Sequence, residues 1–175
     1  MFPAFEKYSI KPLAAINLED FQCEPTLLSF FTEDAADCEN ELISKTYFLV
    51  HEDYKPPLVG FSLSNNVIKA ETDIDMKITY NARYSQYPAV LIGRFATHTA
   101  FERQGHGTQA LDLIKNWFVT SNKTGCRFIV VDARKGAEEF YIKNGFEEYP
   151  EQNHESKTTL LYFDLRDYLF ELRKG

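Results

Sequence analysis

At 175 residues, 44% hydrophobic and 26% charged, the chain has the length and composition of one folded domain with a sizeable core, which excludes a disordered or fibrous protein. Nineteen Lys and Arg face 26 Asp and Glu, and the net charge of −7 opposes binding to nucleic acid by phosphate neutralisation alone. No apolar run approaches the ~20 residues of a membrane span, and the start Met1-Phe2-Pro3 lacks the basic and apolar regions of a signal peptide.

Three cysteines, Cys23, Cys38 and Cys126, fit no zinc or redox spacing, and His51, His98, His106 and His154 are scattered. The expectation is a cytoplasmic chain with reduced thiols and no bound metal. Fifteen Phe and ten Tyr point to an aromatic-rich core, and suit an aromatic-lined groove as well.

In chain order, Tyr8–Leu13 reads as a first strand or an entry segment. Thr26 is placed to cap a helix in which Leu27, Phe30 and Phe31 share a face. A second helical piece covers 34–43. Thr46–Val50 and Leu58–Ser64 read as strands paired antiparallel across the Pro56-Pro57 turn. Residues 65–86, with Tyr80, Arg83, Tyr84 and Tyr87, give no clear period and read as an irregular segment near a ligand.

Residues 89–97 form a near-continuous apolar run, the mark of a central strand buried on both faces. The next helix presents Leu111, Leu113, Ile114, Trp117 and Phe118 inward, with Asp112, Lys115 and Asn116 outward and Gly125 as its stop. Phe128–Val131 is a strand parallel to 89–97, and a short helix runs from Gly136 to Asn144 and ends at Gly145. A polar turn at 152–156, a strand Thr158–Asp164 and a terminal helix 166–174 complete one domain spanning residues 1–175.

Between the central strand and its helix lies Arg103-Gln104-Gly105-His106-Gly107-Thr108. The nucleotide P-loop, GxxxxGK[ST], is not matched. The dinucleotide fingerprint G-x-G-x-x-A is met by Gly105, Gly107 and Ala110, and Asp132 ends the next strand, where an acidic residue is expected roughly 20 residues on. Yet His98–Gln104 separate the strand from the first glycine, and the first half of the chain shows hairpins where repeated βαβ units are needed. A third reading is a short pyrophosphate cradle, in which Gly105 and Gly107 let backbone amides and the helix dipole meet an anion. The cations Arg94, Arg103, Lys115, Lys123, Arg127, Arg134 and Lys135 fall in or near this stretch, which suits a small phosphorylated ligand better than a polymer.

Glu102-Arg103-Gln104-Gly105-His106-Gly107 resembles the [Q/R]-x-x-G-x-[G/A] loop of the GNAT superfamily of acyl-CoA-dependent N-acetyltransferases, with Glu102 in place of the usual Gln or Arg. Phe140-Tyr141-Ile142-Lys143-Asn144-Gly145-Phe146 resembles the F-Y-x-x-x-G-F segment of the same enzymes. The likeness covers residues 89–148. More loosely, Phe21-Gln22-Cys23 through Thr46-Tyr47-Phe48, and Gly60-Phe61-Ser62-Leu63-Ser64, resemble a bacterial branch that includes the GNAT-type toxins of toxin–antitoxin pairs.

The resemblance implies a mixed α/β GNAT fold: a mostly antiparallel central sheet with a parallel pair at the acetyl-CoA site, flanked by helices. It implies direct acetyl transfer from acetyl-CoA to a primary amine through a tetrahedral intermediate. Phe95, Ala96 and Thr97 would line pantetheine and the thioester carbonyl, with backbone amides of Gly93–Thr97 serving the oxyanion. Arg103, Gln104, Gly105, His106, Gly107 and Thr108 would hold the pyrophosphate. Tyr141 would protonate the departing thiolate, since a phenol keeps its proton at neutral pH. His106 is expected to face solvent, and Cys126 to be inert. Asp132, His98, Glu33 or a water chain are open as general base. A toxin acetylating aminoacyl-tRNA, with an antitoxin partner, is the alternative function, and an acyl-CoA-binding module without turnover is a further one. Nucleic acid is otherwise not expected, membrane is not, and a homodimer is left open.

Overall fold

The computed structural model describes residues 5–79, 83–151 and 156–174. Seven strands form one sheet in the order β1-β2-β3-β4-β5-β7-β6, mostly antiparallel, with β4 and β5 as its parallel pair. The strands are β1 (Tyr8–Pro12), β2 (Lys45–His51), β3 (Val59–Lys69), β4 (Gln86–Thr97), β5 (Phe128–Arg134), β6 (Glu147–Glu148) and β7 (Thr158–Asp164). Helices are α1 (Pro25–Ser29), α2 (Ala35–Asn40), α3 (Thr72–Met76), α4 (His106–Thr120), α5 (Glu138–Lys143) and α6 (Leu165–Lys174). The chain divides into two compact units, residues 1–64 with 92–114, and residues 65–91 with 115–175.

In the first unit, β1 pairs antiparallel with β2, and β2 with β3, setting Thr46 opposite Ser62 and Phe48 opposite Gly60. The core here is aromatic. Phe21 meets Phe31 and Phe48 edge to face at 5.6 and 5.1 Å, the arrangement that the ring quadrupoles favour. Gly60 makes this possible, since a Cβ there would stand 2.8 Å from Phe48 and 3.0 Å from Phe31. The two helical pieces read from the sequence are joined by a π turn, Phe30–Asp34, which brings both Phe30 and Phe31 inward. Thr26 is not the cap. Glu24 is, accepting from the Leu27 amide at 3.1 Å and from Thr26 Oγ1 at 2.9 Å, because Pro25 occupies the first helical position and needs no partner for its nitrogen.

In the second unit, β5 pairs antiparallel with β7 from Phe128–Asp164 to Arg134–Thr158, and two residues of β6 add to β7. Its core gathers Ile68, Ile74, Ile78, Tyr87, Phe128, Val130, Tyr149 and Tyr162. Buried Asp164 receives Arg127 Nε and Nη2, both at 2.7 Å, and Arg127 Nη2 also reaches the Lys77 carbonyl at 3.0 Å. Residues 65–76 are more regular than their composition suggests. β3 continues through Lys69 with Ile68 inward, and α3 follows, burying Ile74. Tyr80 lies outside the described residues, as do 152–155 of the polar turn. α4 ends at Thr120, well before Gly125, where Ser121 and Asn122 turn the chain. β4 is buried on both faces only through its middle; its last residues alternate, with Arg94 exposed over the Phe30 ring.

Candidate active site

In the first unit, the end of β4 carries Phe95, Ala96 and Thr97. Ala96 packs into the Phe21 cluster and Phe95 against Leu49, Val59 and Ala110. The His98 amide donates to the Leu58 carbonyl at 2.8 Å and closes the strand. His98 then caps the turn Thr99–Phe101: its Nδ1 accepts from the Ala100 amide at 3.1 Å, which leaves Nε2 as the donor to the Asp20 carbonyl at 2.9 Å. Both ring nitrogens are thus engaged in holding the loop.

Arg103 and Gly105 take left-handed backbone, with φ of 59° and 87°. Nothing lies within 4 Å of where a Gly105 Cβ would stand, so glycine is required there by conformation and not by space. Gln104 Nε2 donates to the Ala100 carbonyl at 3.1 Å and braces the turn. The Gln109 amide donates to the Gly105 carbonyl at 3.1 Å, so α4 begins at once. First-turn amides such as those of His106, Gly107 and Thr108 have no intrahelical acceptor, and the fifteen-residue helix adds its positive dipole end. This loop fits a pyrophosphate. Glu102 is exposed ahead of it.

His106 does not face solvent. It is 5% exposed, its Nδ1 lies 3.1 Å from Tyr8 Oη, and the rings of Tyr54 and Phe101 pack against it. Burial, with His51 nearby, holds its pKa below the ordinary value. The reason is spacing: His106, Ala110 and Leu113 share one helix face, and that face is inward. What His106 can offer an anion is its main-chain amide.

In the second unit, Tyr141 is buried in α5, and burial pushes its phenol well above the usual range. Its ring meets Phe140 and Phe146 edge to face at 5.1 and 5.5 Å. The helix closes behind it in a Schellman cap. The Gly145 amide donates to the Ile142 carbonyl and the Phe146 amide to the Tyr141 carbonyl, each at 3.0 Å, with Gly145 left-handed at φ 84°.

Lys115 corrects another expectation: it is 5% exposed, and its Nζ donates to the Asn144 carbonyl at 2.8 Å. Leu111, Lys115 and Phe118 stand at i, i+4 and i+7, so the spacing itself placed Lys115 on the inward stripe. Arg127 is committed to Asp164 and Lys135 donates to Thr159, so these cations serve structure. Asp132 is exposed on β5, and Glu33 accepts from Ser29 at 3.0 Å. Burial raises the Cys126 thiol to about 11, which keeps it protonated. No three His, Cys, Asp or Glu among the described residues could hold a metal ion, and no helix among them is long and apolar enough to cross a membrane.

No curated protein sequence matches the chain. Solved structures similar over nearly its whole length include three that follow. A tyrosine-to-phenylalanine mutant of KacT gives a TM-score of 0.76 at 21% identity, covering 95% of this chain and 99% of that one. AtaT complexed with acetyl-methionyl-tRNAfMet gives 0.77 at 22%, covering 94% and 99%. A mutant AtaT toxin bound to the C-terminus of the antitoxin AtaR and acetyl-CoA gives 0.72 at 20%, covering 95% and 99%. At these identities the likeness is one of fold. Residues 15–146 match the Acetyltransferase (GNAT) family, and with the glycine cradle and the Tyr141 segment in place, the chain belongs to that family as an acetyltransferase that uses acetyl-CoA.

Proposed function

We propose that this acetyltransferase acts on the α-amino group of an aminoacyl-tRNA. The observation that carries this reading is the near end-to-end similarity to AtaT, whose complex holds acetyl-methionyl-tRNAfMet. An antitoxin segment is then the expected regulator, as AtaT binds the C-terminus of AtaR. Residues 1–175 act as one acetyltransferase domain in the cytoplasm; the family match, 15–146, draws on both compact units.

Acetyl-CoA supplies an acetyl group activated as a thioester. The roles of this chain follow from its own groups. The amides of Gly105–Thr108 and the start of α4 bind the pyrophosphate, with Arg103 adding charge. Main-chain amides at Phe95–Thr97 stabilise the developing oxyanion. As the carbon–nitrogen bond forms and the carbon–sulfur bond breaks, nitrogen loses a proton and sulfur gains one. Tyr141 donates toward the sulfur, and its raised pKa keeps it protonated across the physiological range. The amine loses its proton to water or to a carboxylate.

The test is transfer of labelled acetyl from acetyl-CoA to a panel of charged tRNAs and small amines. Acetylated aminoacyl-tRNA is expected, together with growth arrest on expression. Acetylation of small amines alone would remove the tRNA reading and leave the family assignment intact. Light scattering of the purified chain decides whether it is a homodimer.

A further inference from the structure

A nearly buried ammonium stands behind the helix that carries Tyr141. Lysine is among the residues least often buried, because its charge loses water. Lys115, on α4, is 5% exposed. Its Nζ lies 2.8 Å from the Asn144 carbonyl, 4.3 Å from the centroid of the Phe163 ring and 5.9 Å from that of Phe146. These are the partners a desolvated cation needs: a carbonyl dipole and the negative faces of two rings.

The place of that carbonyl matters more than the bond itself. Asn144 is the C-cap residue of α5. Its amide donates to the Tyr141 carbonyl at 2.9 Å, and its side-chain Nδ2 donates to the Phe140 carbonyl at 2.7 Å. Phe146, under the same ammonium, donates its amide to the Tyr141 carbonyl and packs its ring on the Tyr141 ring. Gly145 between them is held tightly, since a Cβ there would lie 3.1 Å from the Phe163 ring. A positive charge is also the right charge for this place, because the helix dipole is negative at its C-terminus. Lys115 therefore grips the cap of α5 at two points, each one step from Tyr141.

We propose that Lys115 is a positioning residue for acetyl transfer: through Asn144 and Phe146 it fixes where the Tyr141 phenol sits. This rests on the reading of Tyr141 as the proton donor, and the experiment keeps the two apart. Turnover and acetyl-CoA affinity are measured for Lys115→Met, Lys115→Arg, Tyr141→Phe and the Lys115→Met/Tyr141→Phe pair, using methionyl-tRNA or whichever amine of the panel is acetylated. In parallel, 3-fluorotyrosine at position 141 reports the ring by 19F NMR, with no acceptor needed. Lys115→Met is expected to lower kcat about tenfold with the acetyl-CoA Kd within twofold, and to shift or broaden the fluorine line. Lys115→Arg is expected to recover most of both. In the Tyr141→Phe background the lysine change is expected to cost nothing further. An unchanged fluorine line and kcat in folded Lys115→Met would overturn the proposal, as would a full additional loss in the double variant. A Tyr141→Phe enzyme with normal kcat would sink the proton-donor reading, even where the fluorine line still moves. Should Lys115→Met not fold, Phe163→Leu keeps the lysine and removes one ring beneath it. A loss of about threefold with a moved line is then expected, and no change in either refutes.

Discussion

Gly105→Ala is the sharpest probe of the cradle, because the structure separates its two consequences. The residue has a φ of 87° and open space on every side of the missing Cβ. Folding of the free protein therefore suffers only the backbone cost of a left-handed L-residue, ~1–2 kcal/mol. For a chain of this size that lowers Tm by about 2–8 °C. Binding suffers differently, since the methyl enters the space from which amides reach the anion. Charge-assisted hydrogen bonds are worth ~1.5–3 kcal/mol each. Losing one raises the acetyl-CoA Kd roughly 10- to 150-fold. Gly125→Ala is the control: its φ is not left-handed, nothing lies within 4 Å of its Cβ position, and it stands in the loop after α4. Calorimetric titration with acetyl-CoA, CoA and NAD, alongside thermal melts, reads both effects. A stable Gly105→Ala protein that binds acetyl-CoA as tightly as the parent would refute the cradle. Binding of NAD in preference to CoA would restore the dinucleotide reading.

Three other outcomes follow from the same geometry. Tyr141→Phe should lower kcat by ~100-fold or more, the usual contribution of a positioned acid, while acetyl-CoA affinity stays within twofold by titration. Arg127→Met abandons Asp164, whose side chain is 2% exposed; an uncompensated buried carboxylate costs ~3–5 kcal/mol, so Tm should fall by about 6–20 °C, and a fall under 3 °C would contradict it. His106 should make stability dependent on pH. Its folded pKa is depressed by burial, so the unfolded chain binds the proton first. The stability tied to it is complete above about pH 6.5 and is lost as pH falls from there toward the lower folded value. Denaturant melts between pH 8 and 5 should show this slope reduced in His106→Gln; equal slopes would remove His106 as its source.

Where the sequence was legible, one physical signal dominated each position. Thr158–Asp164, with the apolar run Leu160–Phe163 at its centre, is β7 to the residue; Phe128–Val131 is apolar throughout and opens β5, which runs on to Arg134. The F-Y-x-x-x-G-F likeness has a physical content as well. It places Tyr141 third from the helix end, Gly145 at the left-handed position and Phe146 just beyond, which is the Schellman pattern with its apolar contact. Where signals competed, the reading by residue type failed. Lys115 is polar and His106 stands between two glycines, which suggests solvent, yet their spacing puts both on buried stripes of α4. Thr26 has the residue type of a cap, yet the cap is Glu24, whose longer side chain reaches the Leu27 amide once Pro25 has removed one donor. In 65–86, the polar pair Asn65-Asn66 hid the continuation of β3, because pairing with a neighbouring strand is a tertiary effect that local composition does not carry.

The net charge of −7 was the main objection to a polyanionic acceptor, and its distribution removes much of that force. Residues 13–44 contain Glu19, Asp20, Glu24, Glu33, Asp34, Asp37, Glu39 and Glu41 and not one Lys or Arg; outside that segment 19 cations face 18 carboxylates. Six of the eight are exposed, on α2 and in the turns before and after α1 and α2. Salt screens charges beyond ~8 Å at physiological strength, so a bound phosphate responds to the groups near it and hardly to the total. The acidic segment repels a polyanion from its own part of the first unit, and the rest of the chain is close to neutral. A nucleic acid held there would make few phosphate contacts, each releasing about one counterion. The affinity for charged tRNA should then fall only shallowly with salt, with a log–log slope of roughly −1 to −3. A slope near −8 would require a basic surface that this sequence does not have, and no affinity at any salt would return the amine to a small molecule.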